Sequence, residues 1–155
     1  LNTKEVEKAL VSNRFLVCGY KGRYVVVPNV SYGLSFNHEL DILALSKNGY
    51  VHEIEIKISV ADLKRDFLKP HHHFDKRIKF LWYAGPESMK KDFETLIPAH
   101  CGIMLVRETG KKTAYVYRKP KPMKAKPLTK DERLRLYELM LLRYWTIKLK
   151  QPAYE

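Results

Sequence analysis

Cysteine is almost missing from this chain: Cys18 and Cys101 are the only two. A pair without C-x-x-C spacing makes neither a disulfide framework nor a zinc ribbon. Both read as small apolar residues of a reducing compartment, with a single bridge between them as the alternative. Long apolar runs are absent too, and none approaches the roughly 20 residues that a bilayer-crossing helix needs. The polar opening, Leu1-Asn2-Thr3-Lys4-Glu5, carries no signal-peptide pattern. The expected location is therefore cytoplasmic, in a bacterial or phage-infected cell and associated with the nucleoid. Acid is short as well. Against 29 Lys and Arg stand 17 Asp and Glu, a net charge of +12. Such an excess points to a polyanion, most simply nucleic acid, with a merely soluble basic protein as the bland alternative. No basic amphipathic helix with a clean apolar face supports a membrane surface. At 155 residues and 45% hydrophobic, the chain is neither disordered nor too small for a core. It has no internal repeat.

What the chain does have is a charged hairpin. Glu39-Leu40-Asp41-Ile42-Leu43-Ala44-Leu45 and Val51-His52-Glu53-Ile54-Glu55-Ile56-Lys57-Ile58 both read as strands, joined by Lys47-Asn48-Gly49. Side chains alternate along a strand, so Glu53, Glu55 and Lys57 share one face and Ile54, Ile56 and Ile58 the other. A two-residue turn at Asn48-Gly49 would set Asp41 opposite Ile56, on the wrong face. A three-residue loop with Gly49 in the left-handed position instead pairs Ser46 with Tyr50. Asp41 then lies opposite Glu55, Leu43 opposite Glu53, and Glu39 opposite Lys57, with directly opposed residues about 5 Å apart. Acid, acid and lysine on a strand this apolar are costly without a partner such as a metal ion. Cross-strand ion pairs on a wet face are the alternative. Leu43, Leu45 and Val51 on the same face argue that it is partly buried.

The remaining pattern is mixed α/β. Thr3 to Val11 is expected to be a helix, Arg23 to Val27 a strand ended by Pro28-Asn29, and the stretch through Gly33 a loop. Ser59-Val60-Ala61-Asp62 opens a helix with the stripe Val60, Leu63 and Phe67, which Pro70 ends. Arg77 to Ala84 is a strand before a Gly85-Pro86 turn, and Glu87 to Leu96 a helix. Gly102 to Val106 and Thr113 to Tyr117 are strands. Thr129-Lys130-Asp131-Glu132 is a capping box for a helix to about Leu149. The organisation is thus a core of residues 1–117, a basic proline-rich linker of 118–128 and a C-terminal helix within 129–155, packed on the core or in a homodimer interface.

Asp41, the short hairpin, Glu55-Ile56-Lys57-Ile58-Ser59 and the helix behind it resemble the core of the PD-(D/E)xK nuclease superfamily. Within it, 41–106 is similar to the MmcB-like DNA-repair proteins. Asp62 and Asp66, Asp75-Lys76-Arg77 and Cys101-Gly102-Ile103-Met104-Leu105 extend the match to about half the chain. Leu40 departs from it, standing where a proline often precedes the catalytic aspartate. The resemblance implies a restriction-endonuclease-like fold, a central mixed sheet flanked by helices. It implies a DNA nuclease dependent on Mg²⁺ or Mn²⁺, acting in DNA repair or phage DNA metabolism. Asp41, Glu55 and the Ile56 carbonyl would bind the ion, and Glu53 would assist a second ion or form a salt bridge. Lys57 would be catalytic, stabilising charge on the phosphate. Glu5 or Glu7 of the first helix is an accessory candidate, as is Glu39. A binding module that keeps the fold without the activity is the rival reading.

Other features carry weaker expectations. Asp62 and Asp66 lie four apart on one helix face and serve either the site or local pairing with Arg65 and Lys69. DNA phosphates are expected to meet Lys64, Arg65, Lys69, Lys76 and Arg77, and the extended arm residues Arg118, Lys119, Lys121, Lys124 and Lys126. His71-His72-His73 reads as loop or phosphate contact more than zinc site, because consecutive side chains diverge and no second ligand cluster is evident. Leu134, Tyr137, Leu141, Tyr144 and Trp145 form a stripe whose default use is core packing.

Overall fold

Hydrophobic alternation in the middle of the chain produces one six-stranded sheet whose strands lie in chain order. A computed structural model describes residues 1–12, 25–30, 34–69, 73 and 75–150. Cys18, Arg23, Gly33, Pro70, His71, His72 and 151–155 lie outside them. The strands are β1 (Val25–Val30), β2 (Leu40–Leu45), β3 (Val51–Ile56), β4 (Ile78–Pro86), β5 (Gly102–Val106) and β6 (Ala114–Arg118). The helices are α1 (Thr3–Ser12), α2 (Val60–Asp66), α3 (Lys90–Leu96), entered through a 3-10 turn at Glu87–Met89, and α4 (Lys130–Lys150). The β3–β4 and β4–β5 pairs are parallel, and the other pairs antiparallel. The fold is therefore α/β, a mixed sheet flanked by helices.

The period of two sorts the side chains into layers. Ile42, Ala44, Ile54, Ile56, Trp82, Ala84, Met104 and Val106 face α1, which buries Val6, Ala9 and Leu10 on them. On the other face, Leu81, Tyr83, Ile103 and Leu105 meet Leu63 of α2 and Phe93 of α3. Each such fully buried large side chain contributes roughly 1.5–3 kcal/mol. Ser59 Oγ accepts the Asp62 N–H to start α2. Thr129 and Glu132 exchange both bonds of a capping box at the start of α4, as the sequence suggests.

Several expectations are corrected. β1 runs through Pro28 and Asn29 instead of ending there: it pairs only with β2, so the N–H that proline lacks is not needed. β4 continues through Gly85 and Pro86, which pair with Leu105 and Val106. The extended basic linker is held to the core by main-chain bonds, as a strap. Lys121 N–H bonds His100 O, Met123 N–H bonds Lys79 O, Lys126 N–H bonds Lys76 O and Leu128 N–H bonds Gly49 O, each at 2.8 Å. The strap thus crosses the starting ends of the parallel strands. The α4 stripe does not enter the core. Leu136 is buried and Met140 partly so, whereas Leu134, Leu141 and Trp145 are 58, 61 and 56% exposed.

Candidate functional site

The hairpin closes with Gly49 at φ +82° and the Ser46 N–H on Tyr50 O at 2.9 Å. Leu43 pairs with Glu53, the register that the three-residue loop requires. Asp41 therefore reaches the end of β3, where its Oδ2 accepts the Ile56 N–H at 2.8 Å. Beyond β3 the Lys57 N–H bonds Ala84 O at 2.9 Å, which holds the lysine to the sheet. Gly85 permits this approach, since a Cβ there would lie 2.3 Å from the Lys57 carbonyl oxygen.

On the face shared by Glu53, Glu55 and Lys57, four elements bring ionisable groups together. Lys57 Nζ lies 2.8 Å from Glu55 Oε2 and 2.9 Å from Asp66 Oδ1, on α2. Asp66 also takes Lys69 Nζ at 2.6 Å, His73 Nε2 at 2.7 Å and the Tyr83 hydroxyl at 3.1 Å. The other His73 nitrogen, Nδ1, lies 2.7 Å from Glu53 Oε1, and His38 Nε2 meets the same oxygen at 2.6 Å. Glu53, Glu55, Lys57, Asp66 and His73 are all buried. Glu53 Oε2 and Glu55 Oε1 are buried without a hydrogen-bond partner. A cavity of about 190 Å³ opens alongside, lined by Asp66, His73, Tyr83, His100 and Cys101.

Burial and neighbouring charge compete in this cluster. Burial first, and then the negative charge of Asp41, push Glu55 up to about 7. Burial disfavours the Lys57 ammonium, but the Glu55 and Asp66 carboxylates outweigh it and hold the lysine charged. His73 is likewise opposed by burial and raised to about 10 by its bonds to Asp66 and Glu53. Burial would raise Glu53 and Asp66, yet the histidine bonds, with Lys69 at Asp66, bring both below the ordinary carboxylate range. Cys101, buried beside the cavity, is pushed up to about 12. On the opposite face, burial lowers His52 to about 4, and its Nδ1 accepts the Trp82 indole N–H at 3.2 Å.

The expected residues divide. Glu53, Glu55 and Lys57 come together at the cluster, while Asp41 is set at its edge, its carboxylate on the Ile56 N–H and its charge felt by Glu55. Glu5 belongs to α1 on the far face and bonds Lys112, Glu7 lies on the same helix, and Glu39 is exposed. Arg77 is no phosphate ligand: it is buried, with bonds to Asp75, Glu132 and the carbonyls of Leu34 and Ser35, and lies over the Phe36 ring. Arg118 is committed too, donating to Cys101 O, Ile97 O and Pro98 O behind α3. Lys64, Arg65, Lys69, Lys76, Lys119, Lys121, Lys124 and Lys126 are exposed. Of the paired aspartates, Asp62 serves the cap and a 3.7 Å contact with Arg65, while Asp66 serves the site. His38, His73 and Tyr83 are the members that sequence reasoning missed. The triple histidine was the visible signal, and the partners of His73 were 7 and 20 residues away, at Asp66 and Glu53.

No family model matches the chain, and no curated protein matches it either. Among solved structures it resembles SPO1766, a protein of unknown function from Silicibacter pomeroyi, with a TM-score of 0.56 and 16% identity over 85% of this chain and 86% of that one. At that identity the likeness speaks for the fold alone.

Proposed function

We propose that this protein is a metal-dependent DNA nuclease of PD-(D/E)xK type that hydrolyses phosphodiester bonds, in DNA repair or phage DNA metabolism. One observation carries the reading. Glu55 holds a buried oxygen without a partner, and Asp41 beside it adds a second negative charge. A buried carboxylate with an unsatisfied oxygen and a second negative charge nearby fits a hard divalent cation such as Mg²⁺ or Mn²⁺. Asp41, Glu55 and the Ile56 carbonyl would hold it, with Glu53 behind them. Such an ion, when bound, polarises the scissile phosphate and acidifies a water. Lys57 cannot serve as a base, because its carboxylate neighbours keep it charged. Its task is to stabilise negative charge that grows on the phosphate oxygens. Asp66 orients that ammonium from the opposite side.

The alternative is a nucleic-acid-binding module of the same fold without activity. It is favoured by depth: Glu55 is only 2% and Lys57 4% exposed. Mn²⁺-dependent cleavage of single-stranded, duplex, flap and junction DNA separates the two readings. Lys57→Ala is expected to lower turnover by about 10²–10³-fold while DNA binding persists. Asp41→Asn should abolish the metal response. Binding without cleavage of any substrate would establish the inactive module instead. The exposed α4 stripe is where a second copy would dock, since Leu134, Leu141 and Tyr137, Tyr144 repeat at seven residues.

A further inference from the structure

Two histidines share one glutamate oxygen in the cluster, and each has its second ring nitrogen already engaged. His38 Nε2 and His73 Nδ1 lie 2.6 and 2.7 Å from Glu53 Oε1. The remaining nitrogen of His38 donates to Asn37 Oδ1 at 2.5 Å, and that of His73 to Asp66 Oδ2 at 2.7 Å. A neutral imidazole has one N–H and one lone pair. In the tautomer whose N–H points behind, each ring turns its lone pair toward Glu53 Oε1. A proton relieves that contact, and so does one cation held between the two rings.

We propose that His38, Glu53 and His73 form a transition-metal site, suited to Zn²⁺ or a similar borderline ion over Mg²⁺. Three donor atoms from these residues lie within 4.8 Å of one another. Imidazole nitrogen selects zinc-like ions, whereas the Asp41–Glu55 pair offers only oxygen. An acceptor behind each ring is the arrangement that fixes the tautomer of metal-binding histidines. Glu53 is fully buried, and its Oε2 has no hydrogen-bond partner. Three protein ligands leave a fourth position, and Glu55 Oε1, 3.9 Å from His73 Nδ1 and without a hydrogen-bond partner, borders it. His73 holds a left-handed backbone, φ +55°, which brings its ring in between β3 and α2. The cavity lined by His73 and Asp66 supplies a way in.

Co²⁺ titration of the metal-stripped full chain tests the site by its visible spectrum. Expected is one equivalent with the intense bands of a four-coordinate ion, displaced by Zn²⁺ and not by Mg²⁺. His38→Ala and His73→Ala should remove those bands. Asn37→Ala, which leaves the ligands in place, should weaken affinity by about 10–100-fold. Asp41→Asn should leave the spectrum unaltered, so failure of this site is distinguishable from failure of the nuclease reading. Circular dichroism of each variant guards against misfolding, and Asn37→Ala carries the test where His73→Ala does not fold. Weak six-coordinate bands alone in the wild type, with no intense four-coordinate bands, or a four-coordinate spectrum that survives both histidine changes, would overturn the proposal.

Discussion

Two regions of this molecule reverse the usual placement of polarity. Behind β3, charged groups are sealed inside: Glu53, Glu55, Lys57, Asp66 and His73 are all buried. Along α4, apolar groups are left outside, with Leu134, Leu141, Leu142, Trp145 and Ile147 all more than half exposed. The buried region is stable only as a set, because each carboxylate has a cation within ion-pair distance. The exposed region has no such internal justification: among the described residues, α4 is tied to the core through Glu132, Arg133, Leu136, Met140 and Arg143, none of them in the exposed stripe. In the first, the partner of each residue lies in the chain. In the second, among the described residues, it does not.

The largest effect should come from breaking the set. Asp66→Ala would strip Lys57, Lys69, His73 and Tyr83 of a common acceptor. Removing one member of a buried ion pair typically costs about 3–5 kcal/mol, because the partner charge stays buried. Urea unfolding of wild type and Asp66→Ala measures it. A loss under about 1 kcal/mol would mean that the cluster is solvated and that the contrast with α4 is false.

This cluster also marks the limit of what the sequence discloses. The hairpin was legible, because Asn48-Gly49 and strict alternation leave one register that puts Asp41 on the face of Glu55. The strand Gly102–Val106, the part of Ile78–Pro86 up to Ala84 and both helix caps announce themselves through local pattern, whereas Gly85-Pro86 looked like a turn and pairs as strand. His38, Asp66 and His73 do not, since each belongs to a different segment and only tertiary packing brings them to Glu53. Arg77 and Arg118 looked like phosphate ligands because nothing local reveals the Leu34, Ser35 and Cys101 carbonyls that bind them. On α4 the stripe Leu134, Tyr137, Leu141, Tyr144 and Trp145 looked like the core face. The structure instead buries Leu136 and, in part, Met140, where Arg143 also bonds the Pro28 and Asn29 carbonyls.

That choice of face gives a sharper comparison inside one helix. Leu136→Ala should cost about 2–5 kcal/mol, the range for a filled core position. Leu141→Ala, 61% exposed, should stay within about 0.5 kcal/mol in the monomer. Thermal melts at several protein concentrations decide the matter. If Leu141→Ala destabilises only at high concentration, and sedimentation shows a dimer lost with it, a second copy covers the stripe. Equal losses for the two leucines at all concentrations would mean that α4 packs by its other face.

The smallest effect is expected where charge lies outside, on the strap. Its backbone is pinned at Lys121, Met123, Lys126 and Leu128, so the lysines stand on a fixed extended track. Arg118 is withdrawn from that track, leaving Lys119, Lys121, Lys124 and Lys126 for phosphates. Each contact with duplex DNA contributes about 0.9 to the slope of log K against log salt. Replacing Lys121, Lys124 and Lys126 by alanine should therefore flatten that slope by about 2 to 3 units if all three touch phosphate. All DNA sequences should weaken alike, since the strap carries no base-reading surface. The fold should persist, because main-chain bonds hold the strap and these side chains are exposed. Gly49, to which the strap is tied, stands six residues before Glu55, about 20 Å at roughly 3.3 Å per residue. Cleavage at saturating DNA should therefore be unchanged while binding falls. An unaltered salt slope would move the DNA contact to Lys64, Arg65, Lys69 and Lys76, closer to the buried cluster.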